Sequence, residues 1–134
     1  MATLTPTLSL KSTDVFSDEI NFSVTDSLTV KAPSLSLSTI VATTTGANNI
    51  IVPANADKQT WLFVRHTGTT DGTTSTVAHV DIELTGDVAV GTLKANEWLW
   101  FPFCGNGGST GVQLSAVGSV VQCEYAYWSD STAQ

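Results

Sequence analysis

The chain of 134 residues is 42% hydrophobic and only 13% charged, with five Lys and Arg against twelve Asp and Glu for a formal net charge of −7. So short a chain fits one domain of roughly 100–200 residues, its acidity argues against a nucleic-acid backbone as partner because that needs clustered cations, and its hydrophobic content excludes a disordered polymer. Serine and threonine fill 35 positions, giving an uncharged, polar, β-leaning chain. No apolar run approaches the ~18 residues of a membrane span. The opening Met1–Pro6 carries no basic residue, so a protein made and kept in a cytosol is expected, with no membrane partner.

The first 33 residues disperse Leu4, Leu8, Leu10, Phe16, Ile20, Phe22, Leu28 and Val30 among Ser, Thr and Asp. They are too scattered for a core of their own and too apolar to stay solvated. This predicts an extended N-terminal arm over residues 1–33 that docks on a neighbouring subunit or a shell, with residues 34–134 as the β-domain. The competing reading makes these segments ordinary strands of that domain.

Helical periodicity is nearly absent, whereas period two recurs along the chain. Thr7–Lys11, Ser27–Lys31 and Ser34–Ser38 alternate Leu or Val with hydroxyls or Lys, the pattern of strands with one wet side. Thr60–His66 sets Trp61, Phe63 and Arg65 against Leu62, Val64 and His66 and reads as a central strand. Val77–Leu84 turns Ala78, Val80, Ile82 and Leu84 inward and His79, Asp81 and Glu83 outward. Trp98–Phe103, Thr110–Leu114 and Val120–Trp128 complete the set, separated by turn clusters at 45–49, 67–74, 85–87 and 105–109. Short strands, regular turns and no helix predict an all-β fold of about eight strands. The expected architecture is an antiparallel two-sheet β-sandwich of jelly-roll or immunoglobulin-like kind.

Chemistry-bearing patterns are sparse. His66, Asp71, His79, Asp81 and Glu83 form the only candidate acid–base cluster. The triplet His79, Asp81 and Glu83 shares one strand face at about 7 Å spacing, which suits water better than a closed metal set. No G-x-S-x-G elbow is present. Gly105–Ser109 leads into a strand rather than a helix, so it reads as a rim loop and not a phosphate cradle. Cys104 and Cys123 lack ligand spacing and are expected as reduced thiols. No catalytic residue, metal or cofactor is therefore expected, and the chain reads as not an enzyme. The aromatics Trp98, Trp100, Phe101, Phe103, Tyr125, Tyr127 and Trp128 fit either core and subunit interface or a platform for stacking sugars. Uncharged hydroxyl faces cost little to desolvate, which favours burial against identical neighbours in a homo-oligomer.

The stretches Trp61–Gly72, Thr92–Phe103 and Gln122–Trp128 resemble small virion structural proteins of tailed phages, particularly those infecting cyanobacteria and other marine bacteria. The likeness covers roughly residues 55–128, with a looser match at Thr3–Leu10. It implies a β-sandwich in the virion, assembled in the host cytoplasm, that decorates or cements the capsid, or else sits in the tail, neck or fibres. Its implied partners are the major capsid protein or other virion proteins, and it brings no catalytic residues. A carbohydrate-binding module is the alternative of a different class. The expected interface residues are Leu4, Leu8, Leu10, Phe16, Phe22, Trp98, Trp100 and Trp128.

Overall fold

The structure is a computed structural model that describes residues 2–15, 17–45, 49–53, 59–104 and 111–130. Among these residues there is no helix. The strands are β1 (Ala2–Leu4), β2 (Thr7–Ser12), β3 (Ile20–Thr25), β4 (Leu28–Ala42), β5 (Ile50–Val52), β6 (Gln59–His66), β7 (His79–Leu84), β8 (Val88–Leu93), β9 (Trp98–Cys104), β10 (Val112–Val117) and β11 (Val121–Asp130). Eleven strands among the described residues thus replace the eight or so expected. Four of them (β1, β3, β5 and β8) lie where the alternation is too short or its apolar positions stay exposed. The Gly105–Ser109 loop and Phe16 lie outside the described residues.

The strands form a five-stranded sheet in the order β1-β4-β11-β6-β9, a four-stranded sheet in the order β5-β10-β7-β8, and a separate β2-β3 hairpin. All pairings are antiparallel. The alternation in Thr60–His66 predicts a two-faced central strand, and β6 does run between β11 and β9. Its inward side chains Leu62, Val64 and His66 are fully buried, as are Val80 and Ile82 of β7 and Leu114 of β10. The two larger sheets share a single hydrophobic cluster, in which Leu62, Val64, Phe103, Val121 and Cys123 come from one sheet and Ile51, Val80, Ile82, Val112 and Leu114 from the other. Each fully buried aliphatic chain contributes about 1.5–3 kcal/mol in transfer terms, so this cluster holds the two sheets together. Pro102 falls on β9, an edge strand, where its missing N–H leaves no ladder bond unmade.

Ser27–Lys31 and Ser34–Ser38 belong to one strand rather than two. β4 runs unbroken from Leu28 to Ala42, and the pairing with β11 slips between Trp128 and Ser129, whose partners are Ser34 and Lys31. Proline is tolerated inside a strand at such a bulge, and Pro33 lies within it. The strand therefore crosses residue 33, the end of the expected arm. Leu28 and Val30 are buried, and β1 pairs with them through Leu4 and Ala2. Residues 7–25 alone stand apart, since β2 and β3 pair with each other and with no other strand.

Candidate functional site: a tryptophan face and its groove

The outer face of the five-stranded sheet is built by register. Trp128 of β11, Trp61 of β6 and Pro102 of β9 stand side by side, then Ala126, Phe63 and Trp100, then Glu124, Arg65 and Trp98. All four tryptophans of the chain therefore share one face. Ala126 is buried in the middle of it. Its small side chain leaves room for the indoles of Trp100 and Trp128 to lean toward each other across β6, until their ring centroids lie 5.6 Å apart at 41°, within the range of favourable aromatic pairs. The face ends at the Arg65–Glu124 ion pair, 3.4 Å long and half exposed, a weak contact in water.

Against this face lies a groove of about 580 Å³. Trp61, Phe63, Trp98, Trp100 and Trp128 form its floor and one wall. The rest of the lining comes from the N-terminal segment: Leu4 and Leu28, paired in β1 and β4 of the same sheet, then Pro6, Leu8 and Val24. Thr7 and Asp26 are its polar lining residues, and Asp26 Oδ1 already accepts from Ser27 N–H at 2.7 Å. A second depression of about 450 Å³ shares Leu4 and Trp128 with it and extends over Val30 and Lys31.

Seven of the expected interface residues line the groove or lie on the hairpin. Leu4, Leu8, Trp98, Trp100 and Trp128 line the groove, and the exposed Leu10 continues the same hairpin face. Phe22 stands opposite Leu10, outside the groove lining. Phe16 lies outside the described residues. The aromatic platform divides between two faces: Phe101, Phe103, Tyr125 and Tyr127 pack toward the shared core, because odd and even positions of a strand point opposite ways. Trp61 and Phe63 take their place outside. Alternation puts those two on one face of β6, and the position of β6 between β9 and β11 brings that face against the other tryptophans.

The candidate acid–base residues are not brought together. His66 is fully buried. Gly68 N–H donates to its Nδ1 at 2.9 Å, so Nε2 carries the proton and donates to Ala78 O at 3.0 Å. Asp71 sits in the loop that follows, where its carboxylate accepts from the backbone N–H and hydroxyl groups of both Thr73 and Thr74. Those four bonds, the backbone ones first, hold its carboxyl well below the usual carboxylate range. On the outer face of the other sheet, Asp81 accepts from Thr92 Oγ1 at 2.6 Å, and Glu83 and Asp87 both accept from the buried Gln113 amide at 3.0 and 2.9 Å. Neutral donors thus occupy the carboxylates that the sequence singled out. Among the described residues no group of three His, Cys, Asp or Glu is arranged to hold a metal ion.

Cys104 is exposed beside Gln59, whereas Cys123 is buried beside His66 at the other end of β6. Seven residues of extended strand separate those ends by roughly 23 Å, far beyond disulfide reach. Burial pushes the Cys123 thiol up to about 12. No protein family, curated protein or solved structure matches this chain.

Proposed function

We propose that the chain is a non-catalytic structural module of a tailed-phage virion, its two main sheets packed as a β-sandwich of jelly-roll or immunoglobulin-like kind. In the particle it serves as a capsid decoration or cement protein that docks on capsid or other virion proteins. One observation carries this reading: all four tryptophans lie on a single outer face, continuous with the apolar hairpin of the N-terminal segment. Large exposed apolar patches mark interaction surfaces, and tryptophan is enriched where interfaces are strongest. The resemblance of residues 55–128 to phage virion proteins supplies the setting. A position in the tail, neck or fibres uses the same surface.

Localisation in purified particles by cryo-EM or immunogold labelling tests the proposal, with regular copies on the head as the expected result. Particles free of the chain would overturn it. A carbohydrate-binding module remains the second reading, because indole faces in a groove of about 580 Å³ suit pyranose rings. Binding on a glycan array, abolished by Trp98→Ala, would favour it.

A further inference from the structure

Asp26 is the odd residue of the tryptophan groove. It is exposed in the link between β3 and β4, and among the described residues its carboxylate accepts one hydrogen bond, from Ser27 N–H at 2.7 Å. The other polar residue of the lining, Thr7, has its hydroxyl 2.9 Å from Thr25 Oγ1. Every further lining residue is aromatic, aliphatic or proline. A partner that covers this groove takes water from the carboxylate as well as from the indoles. A carboxylate stripped of water costs far more than one hydrogen bond returns, unless a cation meets it.

Among the described residues the chain does not supply that cation. No Lys or Arg lines the groove. Arg65, the sole arginine, stands beside Trp98 of β9 in register but pairs with Glu124 of β11 on its other side, at 3.4 Å. Lys11 stands on the side of the hairpin opposite to that of Leu8 and Val24. Lys31 lines the neighbouring depression, and the one ion pair among the described residues is Arg65–Glu124. A second copy of the chain would have to break that pair to offer its own arginine.

We infer that the protein which docks on the tryptophan face anchors itself by an arginine side chain, its guanidinium laid on the indoles and paired with Asp26. This rests on the reading of the face as a docking surface for another virion protein, and it names the chemistry that the surface recognises. A purely apolar anchor would bury Asp26 without a counter-charge. A lysine ammonium would meet the charge, but it is a compact, strongly hydrated ion that finds only Thr7 and Asp26 to replace its water. Guanidinium is planar, more weakly hydrated and stacks on aromatic faces, and Trp98, 55% exposed, offers such a face. A pyranose brings more hydroxyls than the two polar lining residues can bond. The net charge of −7 favours the approach of a cationic partner in the same sense.

Three capped amino acids test the anchor on the full chain by NMR titration of the indole N–H resonances: N-acetylarginine methylamide, its citrulline counterpart, which keeps the shape without the charge, and its lysine counterpart. Arginine is expected to bind roughly three- to thirtyfold more tightly than citrulline, the range that cation–π contacts span from exposed to desolvated sites, and more tightly than lysine. Asp26→Asn keeps an acceptor for Ser27 N–H and is expected to weaken arginine at least about threefold while leaving citrulline unchanged. Trp98→Ala is expected to weaken arginine as well. Indoles that do not respond to arginine overturn the inference, as do citrulline or lysine binding as tightly as arginine, or arginine binding that is indifferent to Asp26→Asn. The two readings fail separately: a chain found in particles but without the arginine preference keeps the virion role and removes the anchor, whereas the preference in a chain absent from particles does the reverse.

Discussion

The two-sheet body and the N-terminal hairpin are made of the same residue types in the same alternation, yet one is dense and the other bare. In β6 every second side chain is buried, from Thr60 to His66. In β2 and β3 the equivalent positions, Leu8, Leu10, Phe22 and Val24, stay 42–58% exposed. Local pattern makes a strand; only a second sheet opposite makes it stable. The stability of this chain therefore resides in the body, whereas the hairpin leaves its apolar side chains half exposed.

Deletion of residues 2–32 sets the two regions against each other most strongly. An arm detached throughout predicts near-native unfolding of the remainder. The pairing of Leu28–Val30 with β1, and of Val30 and Lys31 with β11, instead predicts a loss of about 3–6 kcal/mol, from two buried aliphatic chains at about 1.5–3 kcal/mol each. Chemical denaturation of the truncated chain reads the difference. Within the body, Leu62→Ala removes a fully buried side chain at the centre of the shared cluster. It is expected to cost about 2–5 kcal/mol, whereas Leu10→Ala should cost far less.

Titration sharpens the contrast, because only the body shields a thiol. Cys123 has its ordinary value near 9 raised to about 12 in the folded chain. Above pH 9 the unfolded chain loses a proton that the folded chain retains, so stability falls as pH rises. The slope is about 1.4 kcal/mol per pH unit up to pH 12. Tyr127, raised by burial first and by Tyr125 second, adds a change of the same sign above its ordinary value of 10. Cys123→Ala should flatten the first part of that profile, and a native thiol assay should report Cys104 alone until the chain unfolds.

The loop that follows β6 is tied to β11, where Thr67 N–H donates to Gln122 O at 3.1 Å and Gln122 N–H donates to Thr69 O at 2.9 Å. Gly68 has a φ of +80°, and a Cβ there would meet Asn96 Oδ1 at 2.9 Å. Gly68→Ala is expected to cost roughly 1–2 kcal/mol from the left-handed backbone alone, plus the crowding. Asn96→Gly removes the obstructing side chain from a residue that itself has a φ of +69°. In a double-mutant cycle it should restore part of the loss.

How much of this could be read beforehand follows from range. Alternation within a strand predicts the burial of Leu62, Val64, Val80 and Ile82 and the outward turn of Asp81 and Glu83, because facing depends on neighbours two residues apart. The tryptophan face depends on Trp61 standing between Trp128 and Pro102, a juxtaposition across separations of 67 and 41 residues that no local pattern encodes. β8 is not legible in the sequence, because Val88, Ala89, Val90 and Gly91 give no apolar–polar alternation. Ile20, Phe22 and Val24 do alternate, but the link from β2 lacks the two-residue turn that announces a hairpin.

The smallest effect belongs to the hairpin. Asp26 N–H donates to Pro6 O at 3.1 Å, so the two ends of the hairpin already meet and a short glycine turn can replace residues 7–25 while leaving β1 on β4. Since β2 and β3 share no ladder with either sheet, unfolding of the shortened body is expected within about 0.5 kcal/mol of the full chain, the scale of ordinary surface changes. What should change is the environment of the indoles: without Leu8 and Val24 opposite them, Trp98 and Trp100 gain water and their emission shifts to the red. A drop in stability of several kcal/mol would instead make the hairpin part of the body's own core, and the surface it presents would then be structural rather than a means of association.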